Sequence, residues 1–326
     1  MKIIDLNDDA SGLRGAIVLH STRLGPAFGG IRIANYPDAD ACQADAVRLA
    51  AAMTRKVTFH DIPGGGGKAA VMAGDIIDRP RALARIGEAV NALAGMFFTG
   101  PDSGFSRDDV ELLTRATRYV STEDVTVATA RGVAQSIRAA CDHAGITLSA
   151  AHAAVQGVGA IGLEVVRFLL GAGAGVVAAD VDGAQAARAR ALGAQVIPAE
   201  QILSQPCDLL CPCALGGVID HDFAGSLDCK IVVGAANNIL VDDAVAHTLA
   251  ARGIVFVPDF VSNGGGVIRG AWVHLRGTPG TDDEIDAIYG RTRSLLSGAQ
   301  TRGDTPLAEA VRMVEGKLRG SDDQVS

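Results

Sequence analysis

The segment VQGVGAIG, residues 155–162, constrains the fold more than any other part of this sequence. It follows a short apolar run, AAVQ, and it opens the apolar helical pattern VGAIGLEVVRFLLGAG. Glycine makes up 40 of the 326 residues, so the spacing of Gly157, Gly159 and Gly162 alone would be a weak signal. The spacing is informative here because it lies between a predicted strand and a predicted helix, where a tight turn requires glycine.

The second half of the same pattern is the strand GVVAAD, which ends at Asp180, 23 residues beyond Gly157. In such a unit the second glycine and the residue before it, here Gly159 and Val158, bring backbone N–H groups to a pyrophosphate. The third glycine, Gly162, allows the helix to pack closely on the strand. A carboxylate at position 180 accepts hydrogen bonds from ribose hydroxyls and repels a 2′-phosphate, so we expect a Rossmann-type domain that binds NAD rather than NADP.

Hydrophobic patterns along the chain predict two α/β domains. Beyond residue 151 short apolar strands alternate with helices, which indicates right-handed βαβ units and a parallel sheet. Before residue 128 the patterns predict a strand over 12–21 and helices over 39–56 and 79–93. We expect a substrate-binding domain at 1–128 and an NAD-binding domain at 129–295, with the C-terminal helices, about 296–326, packing back on the first domain.

Composition and charge exclude several classes of protein. The net charge is −8 without a basic run, which argues against nucleic acid as a partner. The sequence has no apolar run of membrane-span length and no signal peptide, so we expect a cytoplasmic protein without membrane contact. The cysteine cluster CDLLCPC, residues 207–213, lacks a matching Cys/His pair. We therefore expect no metal and interpret the cysteines as buried thiols in a reducing compartment.

Four consecutive glycines, residues 64–67, precede Lys68. A phosphate-binding P-loop requires a glycine at position 62 and Ser or Thr at position 69, but Ile62 and Ala69 stand there. Ordering four glycines costs much conformational entropy, so a plain flexible loop explains them poorly. We interpret the run as a backbone surface that a ligand approaches closely, with Lys68 at its edge.

Eight motifs occur in a fixed order: GPAFGGIRI, Lys56 followed by GGGGK, TGPD, TARGV, VQGVGAIG, CPCALGG, GAANN and PDFVSNGGG. Together they resemble the leucine, phenylalanine and valine dehydrogenase branch of the amino-acid dehydrogenase superfamily that also contains glutamate dehydrogenase. The resemblance covers about residues 12–318. It implies reversible conversion of an L-amino acid to a 2-oxo acid and ammonia, with a nicotinamide cofactor and an active site in the cleft between two domains.

The resemblance also implies roles for residues in the first half of the chain. Lys68 resembles the catalytic lysine that activates water, and Asp102 resembles the carboxylate that exchanges protons with the amino nitrogen. Lys56 resembles the lysine that pairs with the substrate carboxylate. Gly29 and Gly30 resemble the backbone floor beside the bound substrate.

Further roles are implied in the second half. Asn263 resembles the amide that orients the substrate. Thr129 and Asn238 resemble residues near the nicotinamide, and the ribose side is lined by Cys213, Ala214 and Leu215. Together with Gly157, Val158, Gly159, Gly162 and Asp180, these residues form the expected cofactor site.

The surroundings of the expected site depart from the leucine-type pattern. Gly100, two residues before Asp102, leaves space in the expected pocket for the substrate side chain. The bulky Phe28, directly before Gly29 and Gly30, fills part of that space. Arg291, Thr292 and Arg293 occur in a tail helix that the resemblance places at the substrate pocket. We expect an apolar or aromatic substrate and a homo-oligomer. A biosynthetic member acting on an unusual 2-oxo acid or amine, and a catalytically silent NAD-binding protein, are the alternatives.

Overall fold

A computed structural model describes residues 1–320 and divides the chain into two compact units. Within the described residues, the first unit comprises Met1–Asp124, Gly270–Pro279 and residues 314–320. The second comprises Val125–Arg269 and Gly280–Met313. Each unit contains a sheet with helices packed on it, so the predicted α/β class is confirmed.

The first unit begins with strands and helices in the order β1 (Lys2–Asp8), β2 (Leu13–Leu19), β3 (Ala27–Phe28), β4 (Ile31–Ala34), α1 (Ala39–Phe59), β5 (Gly65–Met72), α2 (Arg79–Ala92), β6 (Phe97–Phe98) and α3 (Arg107–Ala116). The sheet order is β1-β2-β5-β3-β6, and β4 also pairs with β5. The β1–β2 and β2–β5 pairs are antiparallel, whereas β3, β4 and β6 join the sheet in parallel.

Both faces of this sheet are packed against helices. Helix α1 begins where the Asp38 side chain accepts a hydrogen bond from the Ala41 N–H. Its small residues Ala46 and Ala50 pack on Val18 and Ala70 of the sheet. The opposite face is covered by α2, with a core of large apolar side chains that includes Ile17, Ile31, Leu83, Ile86 and Phe97.

The glycine run lies inside this packing. Strand β5 begins at Gly65, and all four glycines are buried. A Cβ at Gly66 would lie 2.1 Å from the Thr54 nitrogen and 2.4 Å from the Ala50 oxygen of α1, and one at Gly65 would lie 2.0 Å from the Ser21 oxygen. The interpretation of the run as a surface for a ligand is therefore wrong. Gly66 lets helix α1 lie directly on the backbone of β5, and the other three glycines are packed against neighbouring strands and loops of the same unit.

The second unit continues with α4 (Thr126–Ala144), β7 (His152–Gln156), α5 (Ala160–Gly171), β8 (Gly175–Ala179), α6 (Gly183–Leu192), β9 (Gln195–Val196), β10 (Leu209–Pro212), α7 (His221–Ser226), β11 (Ile231–Val232), α8 (Val245–Ala251), β12 (Val255–Phe256), α9 (Asp259–Ser262), α10 (Gly265–Arg276), α11 (Asp282–Asp286), α12 (Ile288–Arg302) and α13 (Pro306–Gly320). Helices α10 and α13 each begin in the second unit and end in the first.

The second sheet has the order β12-β11-β10-β7-β8-β9, with every pair parallel. The chain runs outward from β7 in one direction to β9, and then returns to β10 and runs outward in the other direction. The point of reversal, between β7 and β10, is where open parallel sheets bind ligands beyond their carboxyl ends. This topology confirms the Rossmann-type fold.

The tail differs from the expectation that residues from about 296 pack on the first domain. Helix α12 packs on α4 inside the second unit, where Leu295 and Leu296 are buried. The hydroxyls of Thr292 and Ser136 lie 3.1 Å apart in the same contact, and Thr292 is fully buried there. Of the tail residues 296–320, only residues 314–320 belong to the first unit. The apolar face of α12 is thus used by its own unit.

Among residues 1–320, no helix is both long and apolar enough to span a membrane. In the same part of the chain no group of three or more His, Cys, Asp or Glu side chains is placed to hold a metal ion. All six cysteines are free thiols.

We predict that Gly66→Ala destabilises the protein. The added methyl group would displace helix α1 from β5, and overpacking of this kind costs about 1–3 kcal/mol. The urea midpoint of the folded protein should fall clearly. Gly74→Ala is the matched control in the same unit, because a Cβ there comes no closer than 4.0 Å to another group. An unchanged midpoint for Gly66→Ala would contradict the packing role.

Candidate active site

Three strands of the first unit are in register across the expected catalytic residues. Phe28 is opposite Gly66 on one side and Phe98 on the other. Three residues further along, Ile31 is opposite Ala69 and Pro101. The residues between these rows, Gly30, Lys68 and Gly100, therefore form one row on the same face of the sheet, since side chains alternate along a strand.

The side chains of Lys68 and Asp102 meet above this glycine row. Lys68 Nζ lies 2.6 Å from Asp102 Oδ2, and the lysine is only 8% exposed although it carries an ammonium group. A Cβ at Gly30 would lie 3.3 Å from Nζ and 3.4 Å from the Asp102 Cβ. The pair thus stands beside a backbone position that has no side chain of its own, which suits close approach by a small ligand.

The neighbouring glycine is also required by the packing of the strands. A Cβ at Gly29 would lie 1.7 Å from the backbone oxygen of Gly67, so the two strands could not tolerate any side chain there. Lys56 lies in the last turn of α1, partly buried, in the same unit as Lys68.

A cationic partner on each side holds the Asp102 carboxylate in its ionised form. Burial by itself raises the pKa of Asp102, but the ammonium of Lys68 and the guanidinium of Arg32 outweigh it, and the net pKa lies below its usual value. Arg32 Nε lies 3.4 Å from the same oxygen, Oδ2. Asp102 is therefore a carboxylate throughout the neutral range.

Arg32 continues into a charged network that the sequence reasoning missed. Its Nη1 lies 3.2 Å from Asp45 Oδ2, and the Tyr36 hydroxyl donates to that oxygen at 2.8 Å. Arg48 contacts the other oxygen of Asp45 at 2.6 Å. One signal could have revealed Arg32: it stands two residues after Gly30 in GGIRI, which places it on the same face of the strand.

The glycine turn of the second unit has the geometry that its spacing predicts. Gly157 has a φ of +84°, a left-handed conformation that side chains disfavour. A Cβ at Gly162 would lie 2.0 Å from the Gly157 oxygen, so helix α5 packs against the turn backbone. Gly159 precedes the first residue of α5, and a Cβ there would meet no atom within 4 Å. The turn therefore presents open space at the helix N-terminus.

Asp180 lies at the end of β8, directly beside this turn. Its Oδ2 accepts a hydrogen bond from the Val158 N–H at 2.7 Å, and its Oδ1 accepts one from the Asp182 N–H at 2.9 Å. Both bonds fix the carboxylate next to the glycine turn. The side chain of Val158 is completely buried and its N–H is bonded to Asp180, so the structure does not offer this N–H to a pyrophosphate as the sequence predicted.

The strand next to β7 supplies the expected ribose-side residues. The Cys213 N–H donates to the Gln156 oxygen at 2.7 Å, and burial raises the pKa of its thiol to about 12, so the thiol is neutral. Ala214 lies against Gly157, where an added Cβ would approach it to 2.5 Å. Leu215 is 75% exposed, which is unusual for leucine and leaves an apolar surface beside the turn.

The three remaining expected residues also lie in the second unit. The Thr129 hydroxyl donates to the Val125 oxygen at 2.8 Å. Asn238 has a φ of +52°, and its N–H donates to Asp259 Oδ2 at 3.0 Å. The Asn263 amide donates to the Ala235 oxygen at 3.1 Å and to Asn237 Oδ1 at 2.9 Å. Its own Oδ1 is buried and accepts no hydrogen bond within residues 1–320.

The structure thus assembles the expected residues in two groups. Lys68, Asp102 and Gly30 converge in the first unit. The glycine turn, Asp180 and the Cys213–Leu215 segment converge in the second.

Comparison with known proteins identifies the family. Residues 1–123 match the model of the "Glu/Leu/Phe/Val dehydrogenase, dimerisation domain", and residues 181–273 match that of "Glutamate/Leucine/Phenylalanine/Valine dehydrogenase". The chain belongs to this family. It is therefore an amino-acid dehydrogenase, as the ordered motifs predicted.

Individual relatives cover nearly the whole chain. A leucine dehydrogenase of Thermoactinomyces intermedius is 32% identical over 97% of this chain and 90% of the relative. A phenylalanine dehydrogenase of Lysinibacillus sphaericus is 35% identical over 82% of this chain and 75% of the relative. The structure of L-tryptophan dehydrogenase from Nostoc punctiforme superposes with a TM-score of 0.86 and 31% identity, covering 99% of this chain and 97% of that one.

We predict that Arg32→Gln moves the acid limb of the pH–rate profile to higher pH. Arg32 lowers the pKa of Asp102, so loss of its charge raises that pKa, and the carboxylate becomes protonated at a higher pH than before. The measurement is kcat/KM as a function of pH for the wild type and the variant.

Arg48→Gln is the control for this experiment. Arg48 carries the same charge in the same network, but it contacts Asp45 and not Asp102. An acid limb that shifts equally in both variants would point to a general loss of charge, and would contradict a specific action of Arg32 on Asp102.

Proposed function

We propose that this protein is an NAD-dependent dehydrogenase of an apolar or aromatic L-amino acid, which it converts reversibly to the 2-oxo acid and ammonia. The observation that carries the proposal is the pair of the buried Lys68 and the partly buried Asp102, 2.6 Å apart above the open position at Gly30. A lysine and an aspartate that lie this close together in a partly buried site are suited to transferring protons to and from a ligand. The glycine beside them leaves room for that ligand.

The second unit fits a nicotinamide dinucleotide. The turn at Gly157–Gly159 leaves open space at the N-terminus of α5, where backbone N–H groups attract a pyrophosphate. A nicotinamide dinucleotide held there would supply the hydride acceptor for the substrate Cα–H bond. Thr129 and Asn238 would lie on the nicotinamide side, and Cys213, Ala214 and Leu215 on the ribose side.

The preference for NAD over NADP rests on Asp180. Its carboxylate is fixed at the end of β8 by the backbone of Val158 and Asp182, and it retains lone pairs for the ribose hydroxyls. A 2′-phosphate would face this negative charge at close range.

Lys68 and Asp102 divide the proton transfers between them. After hydride loss the substrate is an iminium ion, and water must lose a proton as it attacks the electrophilic carbon. Lys68, whose Nζ lies beside the open position at Gly30, is placed to accept this proton. Asp102, which is ionised, takes a proton from the substrate ammonium before the hydride leaves, and returns it to the nitrogen as the carbinolamine collapses and ammonia leaves.

Other residues hold the substrate. Lys56 pairs with the substrate carboxylate, and the backbone of Gly29 and Gly30 forms the floor. The buried, unpaired Oδ1 of Asn263 supports a role as an acceptor for the substrate ammonium group, because a buried acceptor without a partner is costly.

The match of residues 1–123 to a family domain described as a dimerisation domain supports assembly of the chain into an oligomer. We propose a homo-oligomer located in the cytoplasm.

The decisive experiment is a panel of L-amino acids with NAD or NADP at alkaline pH, followed by the absorbance of the reduced cofactor. We expect turnover with at least one apolar or aromatic amino acid, and Lys68→Ala should lower kcat by about 10²–10⁴-fold because the base is lost. Lys2→Ala, at an exposed strand end, is the control. Absence of turnover across the panel, or a fully active Lys68→Ala variant, would contradict the proposal.

Asp180→Asn tests the cofactor preference. The amide oxygen can still accept from the Val158 N–H, so the turn is preserved while the charge is removed. The ratio of kcat/KM for NAD to that for NADP should fall by about tenfold, equivalent to 1.4 kcal/mol of lost repulsion. An unchanged ratio would show that the charge of Asp180 does not discriminate between the cofactors.

A further inference from the structure

A row of aromatic rings lies on the same face of the first unit's sheet as Lys68. Phe28 and Phe98 are opposite each other in register, and their rings stack with centroids 5.5 Å apart. Tyr119 continues the row, because Thr99 is paired with Val120, and its ring meets the edge of Phe98 at 5.7 Å. Phe98 is therefore the centre of an aromatic cluster, which we call the aromatic row.

His274, in the part of α10 that belongs to the first unit, completes the aromatic row. Its ring stacks on Phe98 with centroids 4.3 Å apart and an angle of 21° between planes. Burial lowers the pKa of His274, so the imidazole is neutral near pH 7. Its Nε2 is buried and has no hydrogen-bond partner within residues 1–320. One polar atom thus lies unpaired among aromatic rings.

The register of the strands gives the distance between the aromatic row and the Lys68–Asp102 pair. Phe28 and Phe98 precede Gly30 and Gly100 by two residues, which is about 7 Å along a strand. In the other direction Gly30 is followed, after the same interval, by Arg32. The glycine row that carries the Lys68–Asp102 pair is thus flanked by aromatic rings on one side and by charge on the other.

A substrate whose reacting carbon lies beside Lys68 can extend its side chain along the sheet in two directions. Towards Arg32 it meets a guanidinium already engaged with Asp102 and Asp45. Insertion of an apolar group there would separate paired charges. Towards Phe98 it meets rings that favour stacking and apolar contact.

We propose that Phe98 and His274 are specificity-determining residues that select an aromatic side chain carrying a hydrogen-bond donor, such as an indole N–H or a phenol O–H. This inference rests on the proposed dehydrogenase function. A ring of the substrate packs on the aromatic row, and its donor satisfies the unpaired Nε2, which accepts the hydrogen bond when the neutral imidazole carries its proton on Nδ1. A site built to hydrogen-bond its ligand rejects analogues that lack the polar group, because the buried atom then stays unpaired.

The test compares kcat/KM for Trp, Tyr, Phe and Leu with NAD in the wild type, His274→Leu and Phe98→Leu. The wild type should favour Trp or Tyr over Phe and Leu. In His274→Leu the ratio of the favoured substrate to Phe should fall by about tenfold or more, since the hydrogen bond is lost. In Phe98→Leu the ratio of each aromatic substrate to Leu should fall, since the stacking surface is lost.

His274→Gln provides a second arm, because a side-chain amide keeps a hydrogen-bonding atom at this position. It should retain part of the preference that His274→Leu loses, and it covers the case in which the leucine variant does not fold. A wild type that prefers Leu, or substrate ratios unchanged in all the variants, would overturn the inference and leave the dehydrogenase function intact. Absence of turnover with every amino acid would instead remove the proposed function and the inference with it.

Discussion

The contact between helix α1 and the bare backbone of β5 is the constraint on which the first unit of this protein depends. Because Gly66 has no side chain, α1 approaches to a distance at which a Cβ would overlap its backbone. Strand alternation then directs Lys68, two residues further on, to the same face, where the ammonium is buried. A buried ammonium requires a partner, and the register of β6 provides it by bringing Asp102 to 2.6 Å.

This arrangement makes the two ends of the site chemically unlike each other. Beyond Asp102 the charge continues through Arg32 to Asp45, Tyr36 and Arg48, with each charged group compensated by a neighbour. At the other end the aromatic row has one unpaired polar atom, on His274. The same strands that position Lys68 and Asp102 therefore have an aromatic side and a charged side.

Much of the second unit could be predicted from the sequence because its signals are local. The turn at Gly157, the helix contact at Gly162 and the carboxylate of Asp180 lie within one βαβ unit, and their spacing determines the geometry. The glycine run was harder to interpret, because a glycine that faces a ligand and one that faces a helix have the same sequence pattern. The course of the tail was also not predictable, since an apolar helical face does not specify which unit it covers.

By itself, the sequence determined the α/β class, the dinucleotide turn with its acidic residue, and the family, through motifs that occur in a fixed order. Only the tertiary structure decided the contacts of Arg32 with Asp102 and Asp45, the burial of the glycine run under α1, and the stacking of His274 on Phe98. The physical reason is separation along the chain. Phe98 and His274 are far apart in sequence, and only the register of the strands and the packing of a distant helix bring such groups together.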